Sequence, residues 1–226
     1  MLSDFISLFF PKYCMACNNS LVKGEKMICL RCDYELPKTS NHLDTNDYIA
    51  AKFYGKVQLE HALAYYKFSK SGRVQRILHR LKYHNKPELG RFIGQKYAAE
   101  LLNSGIQTCY DLIVPVPLHK AKLKSRGYNQ STEFALGLGE VLNIPVSGHA
   151  MRRTVSTATQ TRKSRMERWH NVDNIFEVPM PNEIFEKRVL LVDDVITTGA
   201  TIESCAQVLL DSGCQKVGVA AIAAAK

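Results

Sequence analysis

The stretch that most constrains this chain is Val189-Leu-Leu-Val-Asp-Asp-Val-Ile-Thr-Thr-Gly-Ala-Thr201. Arg188 to Val192 is a β-branched and leucine run with no polar alternation, the pattern of a strand buried on both faces. Two adjacent carboxylates, Asp193 and Asp194, follow it, and then a hydroxyl-rich turn. Thr201 to Leu210 next has helical spacing, with Ile202, Cys205, Ala206 and Leu209 on one face. A doubly buried strand leading into a helix belongs in a parallel sheet flanked by helices, where ligands sit at the carboxyl ends of strands. Thr197, Thr198, Gly199, Ala200 and Thr201 would offer backbone N–H groups and three hydroxyls at a helix N-terminus, a cradle for phosphate. Gly199 lets the backbone approach closely. Asp193 and Asp194 would repel phosphate, so they suit another part of the ligand. Vicinal sugar hydroxyls fit, because a carboxylate accepts two hydrogen bonds. Phosphate plus vicinal diol describes a ribose 5-phosphate. The competing reading is a plain strand–turn–helix with a chance acidic pair. A Walker A loop is excluded, since no G-x4-G-K-[ST] occurs.

The rest of the chain agrees with an α/β class. Leu59 to Phe68, Asp111 to Pro117 and Val217 to Ala223 read as further strands. Helical spacing marks Val74 to Leu81, about Leu89 to Leu102, and Thr132 to Leu142. Residues 152–172 are rich in Arg, Thr, Ser and Gln and read as a loop. Hydrophobic residues at 46% and charged residues at 23% exclude a disordered or fibrous chain. No apolar run approaches the ~20 residues of a membrane-spanning helix. The apolar run Phe5 to Phe10 is short and lacks a basic leader, so it reads as a docking helix and not a signal peptide. A cytoplasmic location is the expectation.

Four of the seven cysteines fall in a tight pattern. Cys14, Cys17, Cys29 and Cys32 form C-x2-C-x11-C-x2-C, which can present four thiolates tetrahedrally to one Zn²⁺. The alternative is a pair of redox CxxC motifs. Four cysteine ligands leave no open position, so the metal would be structural. Cys109, Cys205 and Cys214 read as buried apolar residues.

The formal charge is +9, and it is unevenly spread. Residues 51–110 carry eleven basic and three acidic residues. Arg73, Arg76 and Arg80 share a helix face there and are candidate contacts for single-stranded nucleic acid, with a solvated basic face as the alternative. Tyr65, Tyr66, Tyr83, Tyr97 and Tyr128 are available to stack on bases, or to fill the core.

Val189–Thr201 resembles the phosphoribosyl pyrophosphate (PRPP) signature of type I phosphoribosyltransferases. Together with the cysteine pairs, Pro115-Val-Pro-Leu118, Arg126-Gly-Tyr-Asn-Gln130, Gln160-Thr-Arg162, Arg165-Met-Glu-Arg168 and Asn171-Val172, it makes the chain similar to the ComF family over nearly its whole length. That resemblance implies a type I phosphoribosyltransferase fold at 51–226, preceded by an N-terminal helix, zinc element and linker at 1–50. It implies PRPP binding by Asp193, Asp194 and Thr197 to Thr201, and a pyrophosphate loop of Val116, Pro117, Leu118 and His119 with Arg126. Arg162, Arg165 and Arg168 would lie on a closing loop and stabilise charge in the reaction. Mg²⁺ would accompany PRPP. The implied role is in DNA uptake, with the uptake machinery and single-stranded DNA as partners. An active transferase with an unknown acceptor, and a PRPP-sensing regulator, are the other two readings.

Overall fold

A computed structural model describes residues 11–43, 48–154 and 175–226. Among the described residues, four parallel strands make the central sheet: β1 (Ala62–Phe68), β2 (Leu112–Pro115), β5 (Arg188–Ile196) and β6 (Lys216–Ala225), in the order β1-β6-β5-β2. Two-residue strands β3 (Arg152–Arg153) and β4 (Phe176–Glu177) form a separate antiparallel ribbon. Among the described residues, the α-helices are α1 (Leu30–Glu35), α2 (Arg73–Tyr83), α3 (Pro87–Leu101), α4 (Lys120–Arg126), α5 (Gln130–Leu142) and α6 (Ala200–Asp211).

The apolar run of β5 is buried on both faces because successive side chains point opposite ways. Leu190 and Val192 join Leu63, Tyr65, Ile113 and Ile222 in a core with residues of α2, α3 and α5. Val189 and Leu191 face the other way, onto Ala62, Val114, Val219 and α6. Each such side chain contributes roughly 1.5–3 kcal/mol on burial. A row of them can therefore offset the several kcal/mol that a carboxylate kept from water costs.

β5 runs farther than the apolar run alone indicates. Asp193 and Asp194 lie inside the strand, with Asp193 opposite Ala221 and Ile196 opposite Ala224. The small residues of β6 keep that ladder going past the acids. α4 was not foreseen, because its exposed lysines leave no buried face. It forms between two good caps: the His119 ring accepts from Ala121 N–H at 3.2 Å, and Gly127 closes it in the left-handed conformation.

The polar stretch after α1, expected as a linker, lies along the open edge of β1. Lys38 bridges to Tyr66, Thr39 N–H donates to Tyr65 O at 2.9 Å, and the Asn41 side chain donates to Ala62 O at 2.7 Å. Asn and Asp residues read as turn formers in sequence, yet here Asn41 satisfies an exposed strand edge. The expected docking helix at Phe5 to Phe10 and most of the 152–172 loop lie outside the described residues.

Candidate functional site

Asp193 and Asp194 stand at the carboxyl end of β5, one of the two inner strands of the sheet. Asp193 Oδ1 accepts from the Ser131 hydroxyl at 3.0 Å and from Asp194 N–H at 2.8 Å. Burial pushes the Asp193 carboxyl up to about 7; the neighbouring Asp194 charge adds to the rise, and these two hydrogen bonds oppose it. Asp194 takes a different partner. Lys82 Nζ, from the last turn of α2, lies 3.0 and 2.9 Å from its two carboxylate oxygens.

After the acids the chain turns at Gly199, whose φ is +88°. A Cβ there would lie 2.8 Å from the buried Phe53 ring, so both the dihedral and the packing require glycine. Thr197, Thr198, Ala200 and Thr201 are exposed around this turn, at the N-terminus of α6. Ala200 N–H points to Thr198 Oγ1 at 3.4 Å. The turn therefore presents hydroxyls and helix-end amides to solvent beside the acidic pair.

Val116 to His119 follow β2, next to β5. Val116 N–H donates to Val192 O at 2.8 Å and is consumed by the sheet, and Pro117 has no N–H. Of these four, only the amides of Leu118 and His119 are left to meet an anion. Arg126 lies in the last turn of α4, hydrogen-bonded to Gln130 and 5.5 Å over the Tyr83 ring.

The Arg126–Gln130 motif acts as a joint. Tyr128 hydroxyl donates to Leu81 O and accepts from Lys86 N–H at 3.2 Å. Asn129 caps α5 through Ser131 N–H at 3.1 Å, and its amide donates to Val116 O at 2.9 Å. One short segment thus ties α2, the loop after β2, and the helix carrying Ser131 to one another.

The four cysteines of the N-terminal element come together. Their Sγ atoms all lie within 4.8 Å of one another, and Cys17 and Cys29 sulfurs are 3.8 Å apart. A tetrahedron with metal–sulfur bonds of ~2.3 Å has edges of about that length. Cys14 Sγ receives N–H groups from Ala16 and Cys29 at 3.4 and 3.3 Å. Burial pushes the Cys14 thiol up, but backbone hydrogen bonds outweigh it and leave it lowered, at about 7. The donor set is compatible with a thiophilic metal such as zinc.

The basic face of α2 is partly spoken for. Arg73 pairs with Glu35, and Arg80 donates to Cys14 O and Asn18 Oδ1, both at 2.7 Å. These two arginines hold the cysteine element to the sheet domain, while Arg76 is exposed. Arg162, Arg165 and Arg168 lie outside the described residues. Lys82, Ser131 and Phe53 are site residues that the sequence reading missed. A lysine at the end of one helix, a serine at the start of another and a phenylalanine after a polar stretch carry no local signal. Only the fold brings them to Asp193, Asp194 and Gly199.

Residues 128–226 match the family model described as the phosphoribosyl transferase domain. The curated relatives that the chain matches are named for DNA utilization or for competence. The chain is 33% identical over 147 residues to the DNA utilization protein YhgH of Escherichia coli (strain K12), a match covering 63% of each. It is 36% identical over 116 residues to competence protein F of Haemophilus influenzae, covering 51% of each, and 34% identical over 102 residues to competence protein ComFC of Bacillus subtilis, covering 45% of this chain and 39% of that one. The chain thus spans less than two thirds of the curated relatives' length. Among solved structures, it is similar to an allosteric regulatory enzyme of purine biosynthesis (22% identity, TM-score 0.42, covering 61% of this chain and 25% of that one). A purine phosphoribosyltransferase from Pyrococcus horikoshii matches at 19% identity and TM-score 0.35, covering 58% of this chain and 69% of that one. Among the described residues, no helix is long and apolar enough to cross a membrane.

Proposed function

We propose that this protein binds PRPP, together with Mg²⁺ carried on its pyrophosphate, and works in the uptake or utilization of DNA through contact with single-stranded DNA. One observation carries the ligand assignment: an acidic pair lies near the carboxyl end of a buried parallel strand, beside a glycine turn that opens a helix. In this reading the Thr197–Thr201 turn takes the 5-phosphate, and Asp193 and Asp194 accept from the ribose hydroxyls. Lys82 now occupies Asp194, so the diol must share or displace that ion pair. The Leu118 and His119 amides, with Arg126, face the pyrophosphate side. The names of the relatives support the DNA role.

The four cysteines hold a structural Zn²⁺ in this reading, since all four positions are protein thiolates. Phosphoribosyl transfer to an acceptor is the second reading, favoured by the intact Asp193–Thr201 segment. Its chemistry would be positioning and charge stabilisation as pyrophosphate leaves the ribose, with water kept out.

Calorimetric titration with PRPP·Mg²⁺, repeated on Asp193→Asn and Asp194→Asn, tests the site. Heat that is absent, or unchanged in both variants, removes the assignment. Pyrophosphate release across a panel of acceptors separates a transferase from a PRPP-sensing regulator. Salt-dependent binding of single-stranded DNA tests the partner.

A further inference from the structure

Five tyrosines were candidates to stack on bases, and the fold separates them. Tyr65, Tyr66, Tyr97 and Tyr128 are buried in the core, whereas Tyr83 is 67% exposed. Tyr83 closes α2 and lines a cleft of about 330 Å³ with Lys82, Asn85, Lys122, Ser125 and Arg126. Three of those six are cations. Arg126 lies 5.5 Å from the Tyr83 ring centroid, and His79 flanks the same ring at 4.8 Å. Lys122 is exposed and has no ion pair to a described residue. A largely exposed aromatic ring bordered by basic side chains, one of them the Arg126 guanidinium over the ring, suits a planar base joined to a phosphate. The cleft also has a fixed address, because Lys82 lines it and reaches Asp194.

We infer that this cleft between the end of α2 and α4 binds a nucleotide unit, with its base on Tyr83 and its phosphate between Lys122 and Arg126. This rests on the nucleic-acid part of the proposed function and moves the contact away from Arg73 and Arg80, which are tied to the cysteine element. The unit is either a free mononucleotide or one residue of a single strand. It sits one lysine's length from the acidic pair.

The test uses the full chain with three probes: thymidine 5′-monophosphate, a fluorescent fifteen-residue oligothymidylate, and inorganic phosphate. The variants are Tyr83→Ala, Tyr83→Phe, Lys122→Gln and, on the α2 face, Arg76→Gln. Tyr83 is largely exposed, so unfolding temperatures should stay near that of the parent chain. Tyr83→Ala should weaken nucleotide binding roughly tenfold, the loss of one stacked base, while Tyr83→Phe restores it. Lys122→Gln should lower the salt slope of oligonucleotide binding by about one. Weakening of both nucleotide probes identifies a free nucleotide as a sufficient ligand; weakening of the oligonucleotide alone identifies the strand. Oligonucleotide binding that ignores Tyr83 and Lys122 but falls with Arg76→Gln rejects the cleft and leaves the nucleic-acid reading standing. If the oligonucleotide fails to bind, that reading falls, and mononucleotide binding sensitive to Tyr83 alone upholds the cleft. No binding by either nucleotide, or phosphate binding as tightly as the mononucleotide, overturns it.

Discussion

Asp193 is held where its proton matters. Its carboxyl is raised, to about 7, chiefly by burial and then by the Asp194 charge beside it. A carboxylate of ordinary pKa ~3.9 in the unfolded chain then holds fewer protons than the folded one across the window from about 4 to 7. Folding stability should therefore fall as pH rises through that window and level off above it. Asp193→Asn should flatten this part of the profile, which thermal unfolding between pH 4 and 8 would read. Binding that needs the ionised carboxylate should strengthen over the same rise in pH. Gly199 is the second residue on which the site turns. Gly199→Ala forces a Cβ to within 2.8 Å of Phe53 at a φ of +88°. A loss of roughly 1–3 kcal/mol is expected in urea denaturation, with weakened PRPP binding. Wild-type behaviour in both measurements would remove the strain assigned to this turn.

At the scale of elements, the site depends on how closely α5 sits against α3, because α5 carries Ser131 to Asp193. Two glycines allow the crossing. A Cβ on Gly94 would fall 2.3 Å from Phe134 O, and one on Gly137 2.1 Å from Arg91 O. Backbone oxygens cannot step aside as a flexible side chain can. Gly137→Ala should cost about 3 kcal/mol, at the upper end of overpacking, and should also weaken ligand binding by shifting Ser131. Gly148→Ala, where nothing lies within 4 Å, should stay within about 0.5 kcal/mol. Equal unfolding midpoints for the two variants would contradict this. The helices themselves were legible from their apolar spacing, as Val74, Ile77, Leu78 and Leu81 illustrate. The meaning of Gly94 and Gly137 was not, since a glycine in a helix looks the same whether it faces solvent or another backbone.

For the molecule as a whole, five of the eleven basic residues concentrated in residues 51–110 tie distant segments of the protein together. Arg73 and Arg80 reach the cysteine element, Lys96 pairs with Asp33 at 2.8 Å, Lys82 with Asp194, and Arg91 with Glu140. Cys14, Ala16, Ile28, Cys32 and Leu36 share one continuous core with Tyr65, Tyr66 and Ile77. The cysteine element is therefore part of the body of the protein and should not melt alone. If the four thiolates hold zinc as proposed, stripping it with a chelator should lower the unfolding temperature in a single transition that sheet and helices share. Two separated calorimetric transitions would show the element to be an independent module. Arg80→Ala should give a milder version of the same effect, about 1–3 kcal/mol, by leaving the Cys14 carbonyl without its charged donor.

Local order was enough to determine much of this protein. The unbroken apolar run of β5, the acids, glycine and helix behind it, and the C-x2-C-x11-C-x2-C spacing each act over a few residues. Their consequences follow from side-chain period and ligand geometry alone. The partners of those groups were decided elsewhere. Lys82 meets Asp194 across 112 positions, Ser131 meets Asp193 across 62, and Arg80 meets Cys14 across 66. Which tyrosine stays exposed, which arginines are spent on packing, and which carboxylate carries the raised pKa all depend on contacts between distant segments. Those contacts exist only once the sheet has brought its strands together.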